Sequence, residues 1–397
     1  MPIGVPRGFT LAGVHCRIKR DPQKLDLSLV VSDRPATGVG VYTQNLVYAA
    51  PVALDRSRTP SQRIRAVVIC SGVANACTGQ RGLDDARQMA RLAAAACDAE
   101  EDQALVLSTG VIGSFLPMDR VAEGIAAAAK QLGASPAHLE SAARGMLTTD
   151  TVVKMAGRTA MVGGREIAVT GIAKGAAMMG PNMATMLAVV LTDAPLEPAV
   201  AQAQLRAAAE ESFNSMSVDG HMSTNDTVLL VANGAAGGPP LAGPHLAAFR
   251  RTLGEVCVEL AMAIAGDGEG ATHLVTIDIS GCADRAAAMA IAKTVANSPL
   301  VKTAIHGADP NWGRIISAAG YAGVPFDPAG VVLRLNGFLL YRNAAPVEFD
   351  AAAVSRSIRD SRDTHVELAF SEGTAAVRFW TADLTAEYIR LNADYHT

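Results

Sequence analysis

The sequence predicts a mixed α/β fold that is built in layers. Short apolar runs of strand length alternate with segments of helical spacing along the 397 residues. Residues 159–170 predict a β-hairpin around Gly163 and Gly164. Because a hairpin joins antiparallel strands, we do not expect a doubly wound sheet. Half of the residues are hydrophobic and only 4% are aromatic, which is typical of a tightly packed α/β protein.

The first half of the chain alternates strands and helices up to this hairpin. Apolar runs of buried-strand length predict strands at residues 65–70 and 104–108. Helical spacing, with an Ala-rich face in the first case, predicts helices at residues 83–98 and 118–132. Ser135 and Pro136 are a plausible cap and first-turn pair for a further helix.

The second half of the chain repeats this alternation of strands and helices. At 397 residues the chain exceeds one average hydrophobic core, which indicates two domains or one large two-part unit. Strands are expected directly after Thr185 and at residues 227–232, 273–280, 330–337 and 366–370. Helices are expected at residues 197–212, 244–266, 284–297 and 350–359. Residues 233–244, rich in Gly and Pro, predict a surface loop.

Composition excludes several classes of protein. The net charge is −4 and no Lys/Arg-rich stretch stands out, so nucleic-acid binding has no electrostatic basis. No apolar segment approaches the roughly 20 residues of a membrane span, and the N-terminal residues lack a signal-peptide core. Six scattered cysteines without a CxxC pair are expected to be reduced. We therefore expect a cytoplasmic protein.

Metal and cofactor sites are not predicted. The eight histidines occur singly, and the nearest approach to a ligand set is Asp219, His221 and Asp226. The Gly-rich segment from Gly266 to Gly270 is acidic and lacks the lysine of a phosphate-binding loop. No GxSxG elbow supports a serine triad.

The segment from Lys174 to Leu187 is the most informative part of the chain. A turn-prone Gly-Pro-Asn approach leads to Ala184 and Thr185 at the mouth of an apolar run. Cleavage between them would leave a threonine whose own α-amine, with a pKa near ~8, can serve as a general base for its hydroxyl. The alternative is an ordinary loop in which Thr185 merely starts a buried strand.

Four other polar motifs each admit a functional and a structural interpretation. Thr109 and Gly110 can form an oxyanion hole or an ordinary strand-to-helix turn. The threonines of Thr148-Thr-Asp-Thr151 can bind a substrate or end a helix. Glu269, on its flexible Gly-rich segment, can hold an ammonium group or lie in a solvated turn. The cluster Asp309-Pro-Asn-Trp-Gly-Arg314 is functional or a buried polar network.

The motifs together resemble those of the ornithine acetyltransferase family, also called glutamate N-acetyltransferases, of arginine biosynthesis. The resemblance runs from Pro6 to Thr397 and is carried by ordered motifs: Asn75-Ala-Cys-Thr-Gly79, Ser108-Thr-Gly-Val-Ile-Gly113, Met146-Leu-Thr-Thr-Asp-Thr151, Gly171-Ile-Ala-Lys-Gly175, Pro181-Asn-Met-Ala-Thr-Met-Leu187, Ser223-Thr-Asn-Asp-Thr227, Gly266-Asp-Gly-Glu-Gly270, Asn297-Ser-Pro-Leu-Val-Lys-Thr303 and Asp309-Pro-Asn-Trp-Gly-Arg314. It implies a layered fold of the self-cleaving N-terminal-nucleophile type with a smaller C-terminal α/β part.

The resemblance also implies self-cleavage between Ala184 and Thr185, giving an N-terminal (alpha) chain of residues 1–184 and a C-terminal (beta) chain of residues 185–397. Thr185 would be the nucleophile, and two such heterodimers would assemble. Thr109 and Gly110 would form the oxyanion hole. The amino-acid site would be lined by Thr148 (or Thr149, if the alignment slips by one), Lys174, Glu269, Asn392 and Thr397.

The implied reaction is ping-pong transfer of acetyl from N2-acetylornithine to glutamate through acetyl-threonine, with acetyl-CoA as a possible second donor and without a cofactor. One motif departs from the family pattern, because His221 and Met222 stand where an acid and a hydroxyl residue are expected. Two alternatives stay open: a self-processing amidase or aminopeptidase of the same fold, in which water replaces glutamate, and an uncleaved non-catalytic homologue.

Overall fold

The computed structural model describes residues 3–178, 180 and 186–394. Ala184, Thr185 and Thr397, to which the sequence assigns the cleavage site, the nucleophile and a substrate contact, lie outside the described residues. Their neighbours in the chain, Met178, Gly180, Met186 and Asp394, are described.

Fifteen strands are found in the part of the chain that the structure describes. They are β1 (Phe9–Val14), β2 (Leu27–Tyr42), β3 (Ser61–Val73), β4 (Ala104–Val111), β5 (Lys154–Val162), β6 (Arg165–Lys174), β7 (Leu187–Thr192), β8 (Met216–Ser217), β9 (Thr227–Ala232), β10 (Leu274–Cys282), β11 (Val332–Leu335), β12 (Phe338–Arg342), β13 (Ala345–Pro346), β14 (Asp363–Ala369) and β15 (Ala375–Ala382).

Eleven α-helices accompany these strands within the same described ranges. They are α1 (Ala50–Arg58), α2 (Gly79–Ala95), α3 (Met118–Ala129), α4 (Pro136–Met146), α5 (Pro198–Glu210), α6 (Gly243–Gly266), α7 (Arg285–Ala296), α8 (Pro299–His306), α9 (Trp312–Gly320), α10 (Ala351–Arg359) and α11 (Ala386–Asp394). Among the described residues, no helix is both long enough and apolar enough to span a membrane.

The first sheet has the strand order β4-β3-β2-β9-β7-β6-β5, with β1 added to β2. The long strand β2 serves both halves of this sheet. Its first part pairs with β1 from Leu27 to Ser32, and its last part pairs with β9 from Thr37 to Tyr42. The pairing of β2 with β3 shifts register around Ala36, between these two parts. The sheet therefore divides at this irregular point into two halves.

The two halves pack against each other and against helices on their outer faces. One buried cluster joins β3 and β4 to β6, β7 and β9, and α4 also contributes to it. A second cluster covers the outer face of the β3–β4 half with α2 and α3, and a third covers the β6–β7–β9 half with α5 and α6. Helices thus lie outside both sheet halves, and the predicted layered α/β class is confirmed.

The second sheet, in the C-terminal part of the chain, has the order β13-β12-β11-β14-β10-β15-β8. It is mixed, since β10 pairs parallel with β14 and antiparallel with β15. Helices α7 to α10 bury one of its faces in a separate apolar cluster. The predicted smaller C-terminal α/β part is this sheet with its helices.

The sequence predicted most of the central elements. The hairpin around Gly163 and Gly164 is β5–β6, and it is longer than predicted, because β6 continues to Lys174. Residues 227–232 form β9 as predicted, and all six are buried. Asp284 and Asp350, predicted as first helical residues, instead cap α7 and α10 by accepting backbone N–H bonds.

Some local predictions were wrong. Ser135 and Pro136 do open α4 as its N-cap and first-turn residues, but the Ser135 hydroxyl caps no backbone N–H and instead pairs with the Nδ1 atom of His138 at 2.7 Å. Strand β4 continues through Val111, so Thr109 and Gly110 lie at the end of a strand rather than in the predicted turn. The strand predicted at residues 330–337 is shorter, since Pro328–Gly330 forms a 3₁₀ turn.

Candidate active site

A cavity of about 120 Å³ lies where the ends of several strands meet two loops and α11. Its lining combines nearly all of the predicted site residues that the structure describes. The lining residues are Ala74, Thr109, Gly110, Ile112, Thr148, Thr149, Lys174, Ala177, Met178, Ser223, Thr224, Asn225, Glu269 and Asn392. Residues spread from position 74 to position 392 are therefore brought to one place, which we call the central cavity.

Thr109 and Gly110 reach the central cavity at the end of β4. Thr109 is buried, and its hydroxyl makes no hydrogen bond with any described residue. Gly110 pairs with Gly72 across β3 and β4, with a backbone φ of +130°. A Cβ atom at position 110 would lie 2.3 Å from the carbonyl carbon of Gly72, so only glycine fits there. The end of β4 is thus closely packed, with an unpaired hydroxyl beside the cavity.

Lys174 is the last residue of β6 and is 3% exposed. Within the described ranges its ammonium group has neither an ion-pair partner nor a hydrogen-bond acceptor. Burial lowers the pKa of Lys174, although Asp150, Asp226 and Glu269 act in the opposite direction. A buried ammonium group that makes no direct ion pair with a described residue is unfavourable, and a carboxylate that enters the cavity would relieve this cost.

Asp150 connects the threonine motif to the end of β6. One carboxylate oxygen accepts a hydrogen bond from the backbone of Gly175 at 2.7 Å and one from Lys154 at 2.7 Å. The other oxygen accepts the backbone N–H of Thr148 at 3.0 Å. Burial alone would raise the pKa of Asp150, but Lys174 and Lys154 hold it well below its usual range. Asp150 is therefore held as an anion, and its hydrogen bond with Gly175 positions the chain directly after Lys174.

Lys154 extends this buried network to the Gly-rich loop. Its Nζ atom lies 2.5 Å from Oδ2 of Asp267, and both side chains are almost completely enclosed. Asp267 also accepts the backbone N–H groups of Thr151 at 3.0 Å and of Val152 at 3.3 Å. The network was not predicted as a unit, although Asp150 and Asp267 stand inside two motifs that the sequence singled out.

Thr148 and Thr149 both line the central cavity, so the structure accommodates either alignment of the family motif. They differ in their partners. The Thr148 backbone is held by Asp150, and its hydroxyl lies 3.5 Å from the same carboxylate. Thr149 also borders a second cavity of about 500 Å³, which it shares with Glu269.

Glu269 and Asn392 close the central cavity on the side of α11. The Asn392 amide donates a hydrogen bond to Oε2 of Glu269 at 2.8 Å. The backbone N–H of Glu269 donates to the carbonyl of Ala176 at 2.8 Å, which places this loop beside the chain that leaves β6. Glu269 is partly buried and Asn392 is exposed. Together they present a carboxylate to the cavity that Lys174 also lines.

Asn225 crosses between the two halves of the first sheet. Its Nδ2 atom donates to the carbonyl of Ala74 at 2.7 Å and to the carbonyl of Ser108 at 2.8 Å. Its neighbour Asp226 is fully buried, and one carboxylate oxygen accepts the backbone N–H of Met186 at 3.0 Å. The sequence had matched both residues to a family motif and had named Asp226 in the nearest approach to a metal-ligand set, but it gave neither of them this role.

Other residues that the sequence singled out lie elsewhere. Among the described residues, no group of three or more His, Cys, Asp or Glu side chains is placed to hold a metal ion. Asp219 instead accepts the backbone N–H groups of Met178 at 2.7 Å and of His221 at 3.1 Å. His221 is exposed, and Met222 is partly buried.

The cluster from Asp309 to Arg314 has a structural role. The Asn311 side chain caps α9 by accepting the backbone N–H of Arg314 at 3.1 Å. The Trp312 ring stacks on Tyr341, with ring centroids 5.7 Å apart. This segment therefore begins a helix of the C-terminal part.

A larger groove of about 650 Å³ lies on the polar face of the second sheet. Its charged groups are largely paired, since Arg378 binds Asp278 through two hydrogen bonds of 2.7 and 2.8 Å. It contains none of the predicted site residues. The central cavity is smaller, below the roughly 300–1,000 Å³ of sites for drug-sized ligands, so it suits a ligand about as large as an amino acid.

The chain is similar to known proteins over nearly its whole length. The sequence profile of the ArgJ family matches residues 10–397. The chain is 44% identical over 396 residues to the arginine biosynthesis bifunctional protein ArgJ of Rhodopirellula baltica, covering 99% of this chain and 96% of the relative. It is 44% identical over 398 residues to the protein of the same name from Symbiobacterium thermophilum, covering 100% and 98%.

A solved structure is similar as well. It is the crystal structure of the arginine biosynthesis bifunctional protein argJ from Bacillus halodurans, with 36% identity and a TM-score of 0.51. The match covers 98% of the solved chain but 52% of the present one. The solved polypeptide is therefore about half as long as the present chain.

Proposed function

The chain belongs to the ArgJ family of arginine-biosynthesis enzymes, and we propose that it transfers the acetyl group of N2-acetylornithine to glutamate through an ester on Thr185. One observation carries the proposal. The central cavity combines Lys174, an anion at Glu269 and the hydroxyl of Thr109, and neither the lysine nor the hydroxyl is paired with a described residue. These are the groups that an N-acylated diamino acid requires.

The enzyme first cuts its own chain in this proposal. The Thr185 hydroxyl attacks the carbonyl carbon of Ala184, and the peptide bond becomes an ester while the α-amine of Thr185 is released. Water then hydrolyses the ester to a carboxylate on Ala184 and a free hydroxyl on Thr185. The half-length chain of the Bacillus halodurans relative supports a protein in two pieces, residues 1–184 and 185–397.

Acetyl transfer then uses the two groups that the cut has exposed. The Thr185 hydroxyl attacks the acetyl carbonyl of N2-acetylornithine, and its proton passes to the α-amine of Thr185. Collapse of the tetrahedral intermediate breaks the C–N bond, and the departing ornithine nitrogen takes up that proton. The amino group of glutamate attacks the acetyl ester next, which gives N-acetylglutamate and restores the hydroxyl.

Lys174 and Glu269 account for the choice of substrates. Both ornithine and glutamate carry an α-carboxylate, which offsets the buried charge of Lys174. The side-chain ammonium of ornithine pairs with Glu269, and Asn392 orients that carboxylate through its 2.8 Å hydrogen bond. Thr148 or Thr149 and the terminal residue Thr397 complete the amino-acid site in this proposal.

The oxyanion is assigned to Thr109 and Gly110. The hydroxyl of Thr109 is unpaired among the described residues and lines the cavity, so it can donate to a developing negative charge without first breaking another bond. One such donor typically lowers the barrier by about 3–4 kcal/mol. The other donor in this proposal is the backbone N–H of Gly110.

Acetyl-CoA as a second donor belongs to the same proposal. A cavity of about 120 Å³ admits the acetyl group and the thioester but not the rest of such a donor, which would extend outside. The proposal also includes assembly of two heterodimers and a cytoplasmic location. Assays with each donor test the use of acetyl-CoA, and light scattering of the purified protein tests the assembly.

Mass spectrometry of the purified protein tests the central claim. We expect two polypeptides that end at Ala184 and begin at Thr185, and a mass increase of one acetyl group on the second after brief mixing with N2-acetylornithine. Thr185→Ala should give one intact, folded and inactive chain of about 41.0 kDa.

Three outcomes would contradict the proposal. A wild-type protein that stays at 41.0 kDa would exclude self-cleavage. Normal cleavage of Thr185→Ala would show that another group attacks the peptide bond. Rapid release of ornithine without glutamate would favour the amidase alternative.

A further inference from the structure

We propose that Asn225 and Asp226, two consecutive residues of the loop between β8 and β9, fix the distance between the nucleophile and the oxyanion hole. Asn225 holds the strand ends that carry Thr109 and Gly110, and Asp226 holds the peptide group that follows Thr185. The inference rests on the proposed function, because it uses the roles assigned there to those residues.

On the side of the proposed oxyanion hole, the amide of Asn225 donates two hydrogen bonds. Both N–H groups of the Asn225 amide are used, by the carbonyls of Ala74 at 2.7 Å and Ser108 at 2.8 Å. Ser108 directly precedes Thr109, and Ala74 directly follows β3. Asn225 thus donates to β4 and to the residue after β3 at once. It therefore sets the distance between these two segments next to Thr109 of the proposed oxyanion hole.

The contact on the nucleophile side is the bond to Met186. The Met186 N–H belongs to the peptide group that joins it to Thr185, and it donates to Oδ1 of Asp226 at 3.0 Å. The carbonyl of Met186 in turn accepts the backbone N–H of Thr227 at 3.1 Å. Both polar backbone groups of Met186 are thus held by the chain that immediately follows Asn225.

The loop that carries these two side chains is itself rigidly bonded. Oδ1 of Asn225 accepts the Thr224 hydroxyl at 2.6 Å, and its carbonyl accepts the Thr227 hydroxyl at 3.0 Å. The carbonyl of Asp226 accepts the backbone N–H of Thr43 at 2.9 Å. Asn225 is 4% exposed and Asp226 is 0% exposed. Because most polar groups of this buried loop are hydrogen-bonded, the loop holds its two side chains in fixed positions.

The second oxygen of Asp226 has a different environment. Oδ2 is buried and has no hydrogen-bond partner among the described residues. Burial raises the pKa of Asp226 above its usual range. An asparagine at this position has nearly the shape of the native side chain, and it keeps the oxygen that accepts the Met186 N–H.

Asn225→Ala tests the oxyanion side. We expect kcat to fall about 100- to 1,000-fold, as when an oxyanion donor is removed, while KM for both substrates changes less than about threefold. The matched control is Asn233→Ala at the other end of β9. Asn233 is also buried, and its amide donates to the carbonyl of Arg7 at 2.9 Å, away from the cavity. Wild-type kcat in folded Asn225→Ala would overturn the inference.

A double-mutant cycle separates positioning from loss of stability. If Asn225 acts through Thr109 and Gly110, Asn225→Ala should reduce kcat less in a Thr109→Ala background than in wild type. Equal reductions in both backgrounds would contradict the inference, because independent effects add. Absence of acetyl transfer in the wild-type enzyme would instead contradict the proposed function, and the rate of self-cleavage would still test Asn225.

Asp226 provides a second pair of variants in case Asn225→Ala does not fold. Asp226→Ala removes the acceptor of the Met186 N–H and should slow self-cleavage and acetyl transfer at least tenfold. Asp226→Asn keeps that acceptor and should restore both rates to within about threefold of wild type. Equal rates for Asp226→Ala and wild type, or equal losses in the two variants, would overturn the assigned role.

Discussion

The amide of Asn392 donates a hydrogen bond to the carboxylate of Glu269 over 2.8 Å, so helix α11 and the loop after α6 meet at the central cavity. The two residues are 123 positions apart in the chain. The carboxylate that is proposed to select ornithine is therefore oriented by a helix close to the C-terminus.

Glu269→Gln should discriminate between the two substrates. The variant keeps the shape of the side chain and removes the negative charge that is proposed to bind the ornithine ammonium. We expect KM for N2-acetylornithine to rise about 10- to 100-fold, the value of one charged hydrogen bond, and KM for glutamate to change little. Steady-state kinetics with each substrate varied in turn measure both constants.

The control for this variant is Glu255→Gln on α6, because Glu255 is about half exposed and lies outside the cavity. It should leave both KM values unchanged. Equal increases of the two KM values in Glu269→Gln would contradict the selective role of Glu269.

Lys174→Met should weaken the binding of both substrates. The methionine keeps an unbranched apolar chain but lacks the ammonium that we propose pairs with the α-carboxylate common to ornithine and glutamate. KM for each should rise about 10- to 100-fold. Lys130→Met, at an exposed position after α3, is the matched control. A loss confined to one substrate would place Lys174 at a side chain rather than at the α-carboxylate.

The alkaline limb of the pH profile should depend on Lys174. Burial lowers the pKa of this lysine, so its ammonium loses its proton at a lower pH than an exposed lysine does. Only the charged form attracts a carboxylate. We therefore expect kcat/KM to fall at alkaline pH in the wild type and this limb to be absent from Lys174→Met. An unchanged alkaline limb in the variant would assign it to another group.

Asp150→Asn should destabilise the fold in a pH-dependent manner. Lys174 and Lys154 overcome burial and hold the pKa of Asp150 below its unfolded value of about 3.9. The native state then binds fewer protons than the unfolded state, so this contribution is complete above about pH 4 and is lost as the pH falls further. We expect about 3–5 kcal/mol of lost unfolding free energy at neutral pH.

Chemical denaturation of wild type and Asp150→Asn at several pH values measures this difference. The difference in unfolding free energy between the two proteins should become smaller as the pH falls below about 4. Asp84→Asn, which removes an exposed partner of Arg87, should cost less than about 0.5 kcal/mol at every pH. A difference between wild type and Asp150→Asn that does not vary with pH would contradict the assignment.

Much of the fold could be predicted because its central strands are continuous apolar runs. All six residues of β7 and all six of β9 are buried, and such runs are easily recognised in a sequence. Strand β2 could not be recognised in this way. Its centre is the exposed Asp33-Arg-Pro35, at the point where the pairing with β3 shifts register. The tertiary structure, rather than local propensity, makes it one strand.

The resemblance to the family was confirmed over nearly the whole chain, and it named residues that the structure gathers in one cavity. The contacts that hold these residues in place could not be predicted from the resemblance. Asn225 acts on Ala74 and Ser108, which are more than a hundred positions away, so no local pattern reveals the contact. The partners of Asp150 and Lys154 follow equally from the packing of separate segments.

The pairing of β6 with β7 has a consequence for how the protein folds before and after cleavage. Six residue pairs join these strands, and six more join β7 to β9. A cut between Ala184 and Thr185 would leave β6 on one polypeptide and β7 on the other within a single sheet. Folding before the cut is then unimolecular, whereas refolding after denaturation is a bimolecular association. Self-cleavage would thus turn a concentration-independent folding reaction into a concentration-dependent one. The active enzyme would form more readily from the uncleaved chain than from the two denatured polypeptides.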